Sequence, residues 1–368
     1  MMTNKLGIYV HVPFCESKCA YCDFASFVMP PDIKEQYFSS LIEEINSSPY
    51  KGREVDTIYI GGGTPSCVKK EYIANVLVAL RENFNVTEDA EISMECNPNS
   101  VSEDKLGFYE GLGINRISFG VQSLQDDALK EIGRLHNSET ALKAIELAKA
   151  AGIKNINADL LIGLPGASED KLLADTRKLI ESGVNHISAY MLQVEEGTAI
   201  SERVKKDKDY LPSDDESVYL YEALVTFLQK QGFNRYEISN FALSGKECKH
   251  NYKYWSGADY LGFGLGSHSY IDGVRFSNSN KFFEYYERVV RREVLDNDKK
   301  IMERLMLGLR CDLGFSKAYL LSLGYDITKN SSFKEFLNKK FLIENGDNVK
   351  LNPDQYGVSN YIIVKLLP

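Results

Sequence analysis

The sequence of 368 residues lacks several features that mark particular protein classes. No apolar run approaches the roughly 20 residues that a membrane-spanning helix needs. The first residues show no charged segment followed by a long apolar run, so we expect no secretory signal. Basic residues are in deficit, and the net charge of −9 leaves no broad positive field for a nucleic-acid backbone. We therefore expect no nucleic-acid partner and a cytoplasmic protein, with peripheral membrane association left open.

Cysteine is scarce as well, with seven residues, and the odd number argues for a reducing compartment without structural disulfides. Three of the seven, Cys15, Cys19 and Cys22, follow an apolar run with the spacing CxxxCxxC. Three thiolates this close can face one metal centre, although zinc sites and iron–sulfur clusters usually have four protein ligands. Spacing alone leaves two alternatives open: a 4Fe–4S cluster with one iron free for an external ligand, or part of a zinc site.

The first half of the chain alternates strand-like and helix-like segments. Strands are predicted over 7–12, 55–60, 91–95, 116–121, 155–162 and 186–192, with helices over 33–46, 70–82, 102–110, 138–151 and 169–181. Near-continuous apolar strands joined by helices indicate a parallel sheet that is covered on both faces. Six strands and five helices fall short of an eight-fold barrel. We therefore predict an α/β fold, a partial (β/α)6 TIM-like barrel with a lateral opening.

Polar and glycine-rich residues gather at the C-terminal ends of these strands, where parallel α/β folds carry their ligand sites. The Gly61–Gly63 turn lacks the lysine of a phosphate-binding loop. It is either a tight strand exit or a close approach to a ligand through a glycine amide or carbonyl. Glu95 is either an exposed carboxylate at a strand end or a partner for an ammonium group or a ribose hydroxyl.

Asp159 lies in an apolar strand, where a carboxylate is costly unless it is paired. Arg134 is the candidate partner, although a surface position at a helix end also suits it. The strand continues into the Gly-Leu-Pro-Gly segment at 163–166.

Beyond Glu196 the pattern changes to an exposed charged loop over 205–209 and an amphipathic helix over 214–231. An aromatic cluster follows, with the only Trp in the motif His250-Asn-x-x-Tyr254-Trp255 and with His268 shortly after it. This cluster is either a packed aromatic hinge with structural histidines or a pocket for a flat aromatic ligand. In the second case His250 or His268 is a candidate axial metal ligand.

We divide the chain into a core (1–235), a connecting segment (236–298) and a C-terminal domain (299–368). In the last part, helices over 301–308 and 317–323 precede an Asn-Gly-Asp hairpin signal within 341–351. This order predicts a small α+β domain that resembles a winged helix. Because the domain shows no basic face, we expect it to pack or to dock a partner and not to bind DNA.

Together these residues resemble the radical S-adenosylmethionine (SAM) superfamily, in its coproporphyrinogen III dehydrogenase (HemN-like) branch. The resemblance rests on the Tyr9–Cys22 run, the GGGTP loop, Glu95, the GVQS segment at 120–123, Arg134, Asp159 and the GLPG segment. It implies a radical SAM core in which Cys15, Cys19 and Cys22 hold a 4Fe–4S cluster whose open iron binds SAM. It further implies SAM contacts from Tyr9, Tyr21, Gly62, Gly63, Thr64, Glu95, Gln122, Arg134 and Asp159, at one or two SAM sites.

Two departures separate the chain from the dehydrogenases of that branch. Those enzymes have a further cysteine where this chain has Phe24, and they have a longer arm before the position of Tyr9. The HNxxYW motif at 250–255 matches instead the HemW family of haem chaperones. Phe24 therefore argues against dehydrogenase activity.

This second resemblance implies a haem chaperone in porphyrin metabolism, with haem as cargo and His250 as a haem-binding residue. Its partners would be haem acceptors, including membrane-bound respiratory enzymes, and an electron donor for the cluster. Two alternatives stand beside it. One is the radical decarboxylation of coproporphyrinogen III, and the other is a zinc-stabilised α/β binding protein.

Overall fold

A twelve-stranded sheet forms the centre of the computed structural model, which describes residues 5–368. Its strands, in hydrogen-bonded order β12-β11-β10-β9-β1-β2-β3-β4-β5-β6-β8-β7, are β1 (Leu6–Val12), β2 (Glu54–Gly62), β3 (Asn85–Cys96), β4 (Arg116–Gln122), β5 (Asn155–Ile162), β6 (His186–Met191), β7 (Asn234–Arg235), β8 (Asn240–Ala242), β9 (Tyr260–Phe263), β10 (His268–Ile271), β11 (Val274–Asn278) and β12 (Val290–Val294). Strands β1–β6 pair in parallel. This arrangement confirms the predicted partial barrel.

Helices connect the parallel strands and continue beyond them. They are α1 (Pro31–Asn46), α2 (Lys70–Asn83), α3 (Glu103–Gly111), α4 (Asp126–Glu131), α5 (Ser138–Ala150), α6 (Glu169–Ser182), α7 (Ala199–Lys206), α8 (Asp214–Lys230), α9 (Lys249–Ser256) and α10 (Phe282–Tyr286). Local sequence sets several boundaries. The Ser168 side chain caps the first turn of α6, which ends at Gly183 with a φ of +101°, and Ser213 and Glu216 form a capping box on α8. The short helices α4, α7, α9 and α10 were not predicted.

The two faces of strands β3–β6 differ in chemistry. Alternate residues that point toward the helices are apolar and belong to the main hydrophobic core, among them Met94, Ile117, Phe119, Ile156, Ala158 and Ile187. The residues between them are polar, and most of these line a cavity inside the barrel: Glu95, Arg116, Ser118, Asn157, Asp159, His186 and Ser188. The prediction of near-continuous apolar strands was therefore wrong for the inner face, where the period of two places polar side chains.

Residues 236–298 extend the sheet at both edges. Strand β8 pairs antiparallel with β6, while β9 pairs parallel with β1 and leads into the antiparallel strands β10–β12. The connecting segment thus shares the main core, to which Phe263 and Tyr285 contribute. The three-part division of the chain stays a prediction.

The C-terminal part has its own hydrophobic core, which includes Leu305, Phe315 and Phe336. It contains α11 (Asn297–Gly308), α12 (Lys317–Ser322), α13 (Ser331–Asn338), α14 (Ser359–Leu366) and a three-stranded antiparallel sheet of β13 (Phe315–Ser316), β14 (Leu342–Asn345) and β15 (Asn348–Leu351). This structure confirms a smaller α+β unit after the core. Two backbone hydrogen bonds join it to the core, from Ile238 N to Arg310 O (2.9 Å) and from Asp312 N to Tyr236 O (2.8 Å).

Among residues 5–368, no helix has both the length and the apolar character that crossing a membrane requires.

Candidate cofactor site

A cavity of about 440 Å³ extends from the loop after β1 into the interior of the partial barrel. Its walls contain eleven of the thirteen predicted site residues: Cys15, Cys19, Cys22, Tyr21, Gly62, Gly63, Thr64, Glu95, Gln122, Arg134 and Asp159. Residues from six different elements thus meet in one place. Tyr9 and His250 are the two predicted residues that the cavity wall does not contain.

The three cysteines lie in the loop after β1, half-buried and without disulfide bonds. Backbone hydrogen bonds from Cys15 N to Phe27 O (3.0 Å) and from Ala20 N to Ile132 O (2.9 Å) hold the loop on the barrel. Cys15 Sγ lies 3.5 Å from Thr64 Oγ1. Burial raises the pKa of the Cys22 thiol, and the nearby Lys18 opposes that rise. Within residues 5–368, no three His, Cys, Asp or Glu side chains converge closely enough to hold a single metal ion.

The glycine turn after β2 is fixed by close packing and by its own hydrogen bonds. Gly62 has a φ of +116°, and a Cβ atom there would lie 2.5 Å from the His11 ring. The three amides at its C-terminal end are engaged, from Gly62 N to Glu95 Oε2 (2.9 Å), from Gly63 N to Val12 O and from Thr64 N to Phe14 O. An amide contact to a ligand, one of the two predicted options, therefore has no free donor. The carbonyl option remains.

Glu95 stands at the end of β3 with its carboxylate toward the cavity. Its oxygens accept hydrogen bonds from the Tyr59 hydroxyl and the Gly62 amide, both at 2.9 Å. Burial, with a smaller contribution from the Asp159 carboxyl, raises the pKa of Glu95 to about 7. The side chain is therefore not the exposed strand-end carboxylate of the simpler interpretation. Near neutral pH it can hold or release a proton.

Asp159 is paired with neutral groups and not with Arg134. Its carboxylate accepts a hydrogen bond from Asn157 Nδ2 (2.7 Å) and longer ones from Ser118 Oγ (3.3 and 3.4 Å). Burial raises the pKa of Asp159, and these hydrogen bonds oppose the rise. The candidate Arg134–Asp159 ion pair is not formed among residues 5–368, although Arg134 is close enough to oppose the rise in the pKa of Asp159.

Arg134 instead spans the distance between the cysteine loop and the strand ends. Its Nη2 donates to Asn97 Oδ1 (2.7 Å) and to the carbonyl of Gly120 (2.5 Å), while Nη1 lies 3.5 Å from Cys19 Sγ. Its buried Nε has no hydrogen-bond partner among the described residues. A positive charge with a free donor thus lies beside one of the three thiols.

A buried hydrogen-bond network that begins at Asn157, beside Asp159, was not predicted from the sequence. Asn157 Oδ1 lies 2.6 Å from His186 Nδ1, and His186 Nε2 lies 2.8 Å from the Tyr236 hydroxyl. Since an amide oxygen only accepts, His186 donates from Nδ1 and accepts from Tyr236 at Nε2. Burial, with a further contribution from Arg116, lowers the pKa of His186 well below its usual value, so the ring is neutral. The alternation of polar residues along β4–β6 could have revealed this network.

His250 is fully buried behind the cavity. Its Nδ1 lies 2.9 Å from Thr57 Oγ1 and its Nε2 lies 2.8 Å from the Tyr254 hydroxyl. Burial lowers the pKa of His250 to about 3, so the ring is neutral, but neither nitrogen is free. The predicted role as an axial haem ligand therefore lacks an open nitrogen in this structure.

The other residues of the predicted set divide clearly. His268, the second candidate axial ligand, lies exposed on β10 and outside the cavity wall. The Tyr9 hydroxyl is bonded to His11 Nδ1 at 2.9 Å, and its ring stacks on that of Tyr59, which lines the cavity, with centroids 6.3 Å apart. Gln122 lines the cavity with a φ of +68°, a conformation that is uncommon outside glycine and often found at functional sites. Phe24, with 67% of its surface exposed, stands at the rim.

Comparison with known proteins gives three consistent results. Residues 9–179 match the family model described as "Radical SAM superfamily". The chain is 33% identical to "Heme chaperone HemW" of Lactococcus lactis over 377 residues, which cover 100% of this chain and 98% of that protein. It is 38% identical to the protein of the same name from Escherichia coli, over 72% of this chain and 70% of that one. The structure of coproporphyrinogen III oxidase (HemN) from Escherichia coli superposes with a TM-score of 0.86, over 99% of this chain and 90% of that one at 23% identity, which shows a shared fold.

Proposed function

The chain belongs to the HemW family within the radical SAM superfamily, and from that premise we propose that it is a haem chaperone. It binds haem, carries a 4Fe–4S cluster with SAM, and passes haem to acceptor proteins such as respiratory enzymes. Radical SAM family membership implies the cluster and SAM. The haem cargo, the acceptors and an electron donor for the cluster are the proposed part.

The residues of the cavity suit such a cofactor pair. Three free thiols lie on one loop, which matches a cluster held by three protein ligands and one external ligand. The Nε of Arg134, which has no partner among residues 5–368, offers a donor to an anionic group such as the carboxylate of SAM. Glu95 and Asp159 face the same space, and neither forms an ion pair with an arginine or lysine of residues 5–368, so they offer negative charge to a cationic ligand.

Each of these side chains has a definite task in the proposed site. Cys15, Cys19 and Cys22 would hold the cluster, which when bound supplies single electrons to SAM. Arg134 keeps the cysteine loop in position against Asn97 and the end of β4. Asn157 orients the Asp159 carboxylate, and the neutral His186 fixes the Asn157 amide in turn. These hydrogen bonds thus fix the orientation of the Asp159 carboxylate, which faces the ligand.

The observation that carries the proposal is the meeting of three free thiols, Arg134 and two buried acids in one cavity, in a chain related along its whole length to haem chaperones. Dehydrogenation of coproporphyrinogen III is not favoured. The HemN likeness shows only the fold, and Phe24 occupies the position of the further cysteine.

A haem-transfer experiment tests the function directly. The protein is reconstituted anaerobically to about four irons and four sulfides per chain, titrated with haem and then mixed with an apo-acceptor. We expect stoichiometric haem binding followed by transfer. Absence of both would refute the chaperone function, and a vinyl-bearing product from coproporphyrinogen III, SAM and reductant would establish the dehydrogenase instead.

A further inference from the structure

A second cavity of about 550 Å³ lies between the core and the C-terminal unit. The core contributes the end of α9 and strands β9–β11, and the C-terminal unit contributes α11, α12 and the segment around Gly314. Arg304 ties the two sides together, since its guanidinium donates to the carbonyls of Ser256 and Gly314, each at 2.5 Å. Cavities between two structural units are frequent ligand sites.

Four tyrosine rings line this cavity. Tyr254 and Tyr260 meet edge to face with ring centroids 4.7 Å apart, and Tyr270 lies 6.5 Å from Tyr260. Tyr319 faces them from the C-terminal unit. The hydroxyls of Tyr260, Tyr270 and Tyr319 make no hydrogen bond to any described residue. The cavity therefore combines flat apolar faces with unused polar groups, as suits a flat ligand with polar edges.

Positive charge is concentrated here, although the chain as a whole is acidic. Arg275, Lys300 and Arg304 line the cavity against a single acid, Glu303. Glu303 is already paired with Arg275 at 2.6 Å. Lys300 has no ion-pair partner within residues 5–368, so its ammonium group is available to an anion. A chain with a net charge of −9 would otherwise repel an anionic ligand.

The first cavity cannot easily serve the cargo as well. In the proposed function it holds both the cluster and SAM, and several of the polar side chains that line it already bond one another. A third ligand with a large flat ring needs separate space. The second cavity supplies that space, and its volume falls within the range of pockets for ligands of that size.

We propose that the second cavity is the binding site for the tetrapyrrole cargo, a flat macrocycle that carries carboxylate side chains. The macrocycle lies against Tyr254, Tyr260, Tyr270 and Tyr319, and a carboxylate pairs with Lys300. This proposal rests on the proposed function, which supplies haem as the cargo. It assigns the cargo to a different place from His250, whose ring nitrogens are occupied.

Haem titration of the reconstituted full-length chain tests this site. In Lys300→Glu we expect the Kd for haem to rise roughly tenfold or more, because a charge-assisted contact becomes a repulsion. Lys300→Arg should restore the affinity. Tyr319→Ala removes one exposed ring and should also weaken binding. Lys334→Glu, the same charge change on α13, is the matched control and should bind haem like the wild type.

The outcomes separate this proposal from the function on which it rests. If the wild type binds haem and Lys300→Glu and Tyr319→Ala bind it equally well, the second cavity is not the cargo site, although the chaperone function stands. If the wild type binds no haem, the function itself fails. Cluster iron and SAM binding should stay unchanged in all four variants, since Lys300, Tyr319 and Lys334 lie outside the first cavity.

Discussion

His250 Nε2 lies 2.8 Å from the hydroxyl of Tyr254, one turn further along the same helix. The opposite ring nitrogen meets Thr57 Oγ1 on β2, so this histidine fastens α9 to the sheet. The two most distinctive residues of the HNxxYW motif are thus partners of each other. The HNxxYW motif, which is typical of the family, therefore also has a structural role in holding α9 on the sheet.

We therefore expect His250→Ala to destabilise the fold. The change leaves a cavity and two buried hydroxyls without partners, which should lower the free energy of unfolding by roughly 2–4 kcal/mol. Anaerobic denaturant unfolding measures the effect. His268→Ala is the matched control, because this exposed histidine should change stability by no more than about 0.5 kcal/mol. An unchanged stability together with a lost haem absorption band would make His250 a ligand after all.

Removing one loop thiol should remove the cluster and leave the barrel intact. We expect Cys19→Ala to lose most of its iron and sulfide after anaerobic reconstitution, while the far-ultraviolet circular dichroism stays that of the wild type. Cys67→Ala is the control, since this thiol faces the Phe14 carbonyl at 3.4 Å and lies outside the cavity wall. A collapse of the dichroism in Cys19→Ala would show that the cysteines are structural.

The glycine turn should tolerate no side chain. In Gly62→Ala the new Cβ would meet the His11 ring at 2.5 Å and the backbone would keep a φ of +116°. The sum of steric overlap and strain should cost roughly 2–5 kcal/mol. Gly52→Ala isolates the strain, because Gly52 has a φ of +76° with no atom within 4 Å of a Cβ, so we expect about 1–2 kcal/mol. Equal losses in thermal or denaturant unfolding would contradict the packing argument.

Glu95 should make the protein less stable as the pH rises. Its pKa is about 7 in the folded chain against an ordinary value of 4.5, so the folded state keeps a proton that the unfolded state has lost. Stability therefore falls between about pH 4.5 and pH 7, by up to about 3 kcal/mol at roughly 1.4 kcal/mol per pKa unit. Glu95→Gln should flatten this slope in denaturant unfolding measured between pH 5.5 and 7.5.

A second buried acid provides the comparison for that experiment. Burial also raises the pKa of Glu237 to about 7, but Glu237 lies at the junction with the C-terminal unit and outside the first cavity. Glu237→Gln should flatten the slope similarly and leave SAM affinity unchanged, whereas Glu95→Gln should weaken SAM binding. An unaltered slope in Glu95→Gln would show that its carboxyl titrates normally.

Much of the core could be predicted because each helix-facing residue of the parallel strands is apolar, as at Ile117, Phe119 and Ile156. The ends of those strands follow from the glycines and polar residues after them, and this placed Glu95, Gln122 and Asp159 at one site. The predicted hairpin in the C-terminal unit also lies where the Asn-Gly-Asp signal puts it.

What escaped prediction depends on contacts between residues far apart in the chain. Arg134 was a candidate partner for Asp159, with a surface position as the alternative, but the fold places its guanidinium against Asn97 and Cys19. The alternation of polar residues along β4–β6 marks the members of the interior network, but no local pattern specifies that Asn157 pairs with His186 or that His186 pairs with Tyr236. The burial of His250 likewise depends on Thr57, which lies 193 residues away.

Helix α9 is only eight residues long, yet Cys248 and Asn251 at its start line the first cavity and Tyr254 and Ser256 near its end line the second. A small shift of α9 along its axis would change the shape of both cavities at once. A ligand in one cavity that favours a particular position of α9 would then change the affinity of the other cavity for its own ligand. By thermodynamic linkage, the second ligand changes the affinity for the first by the same factor. Ligand binding in the two cavities would then be coupled through about two turns of helix that contact both.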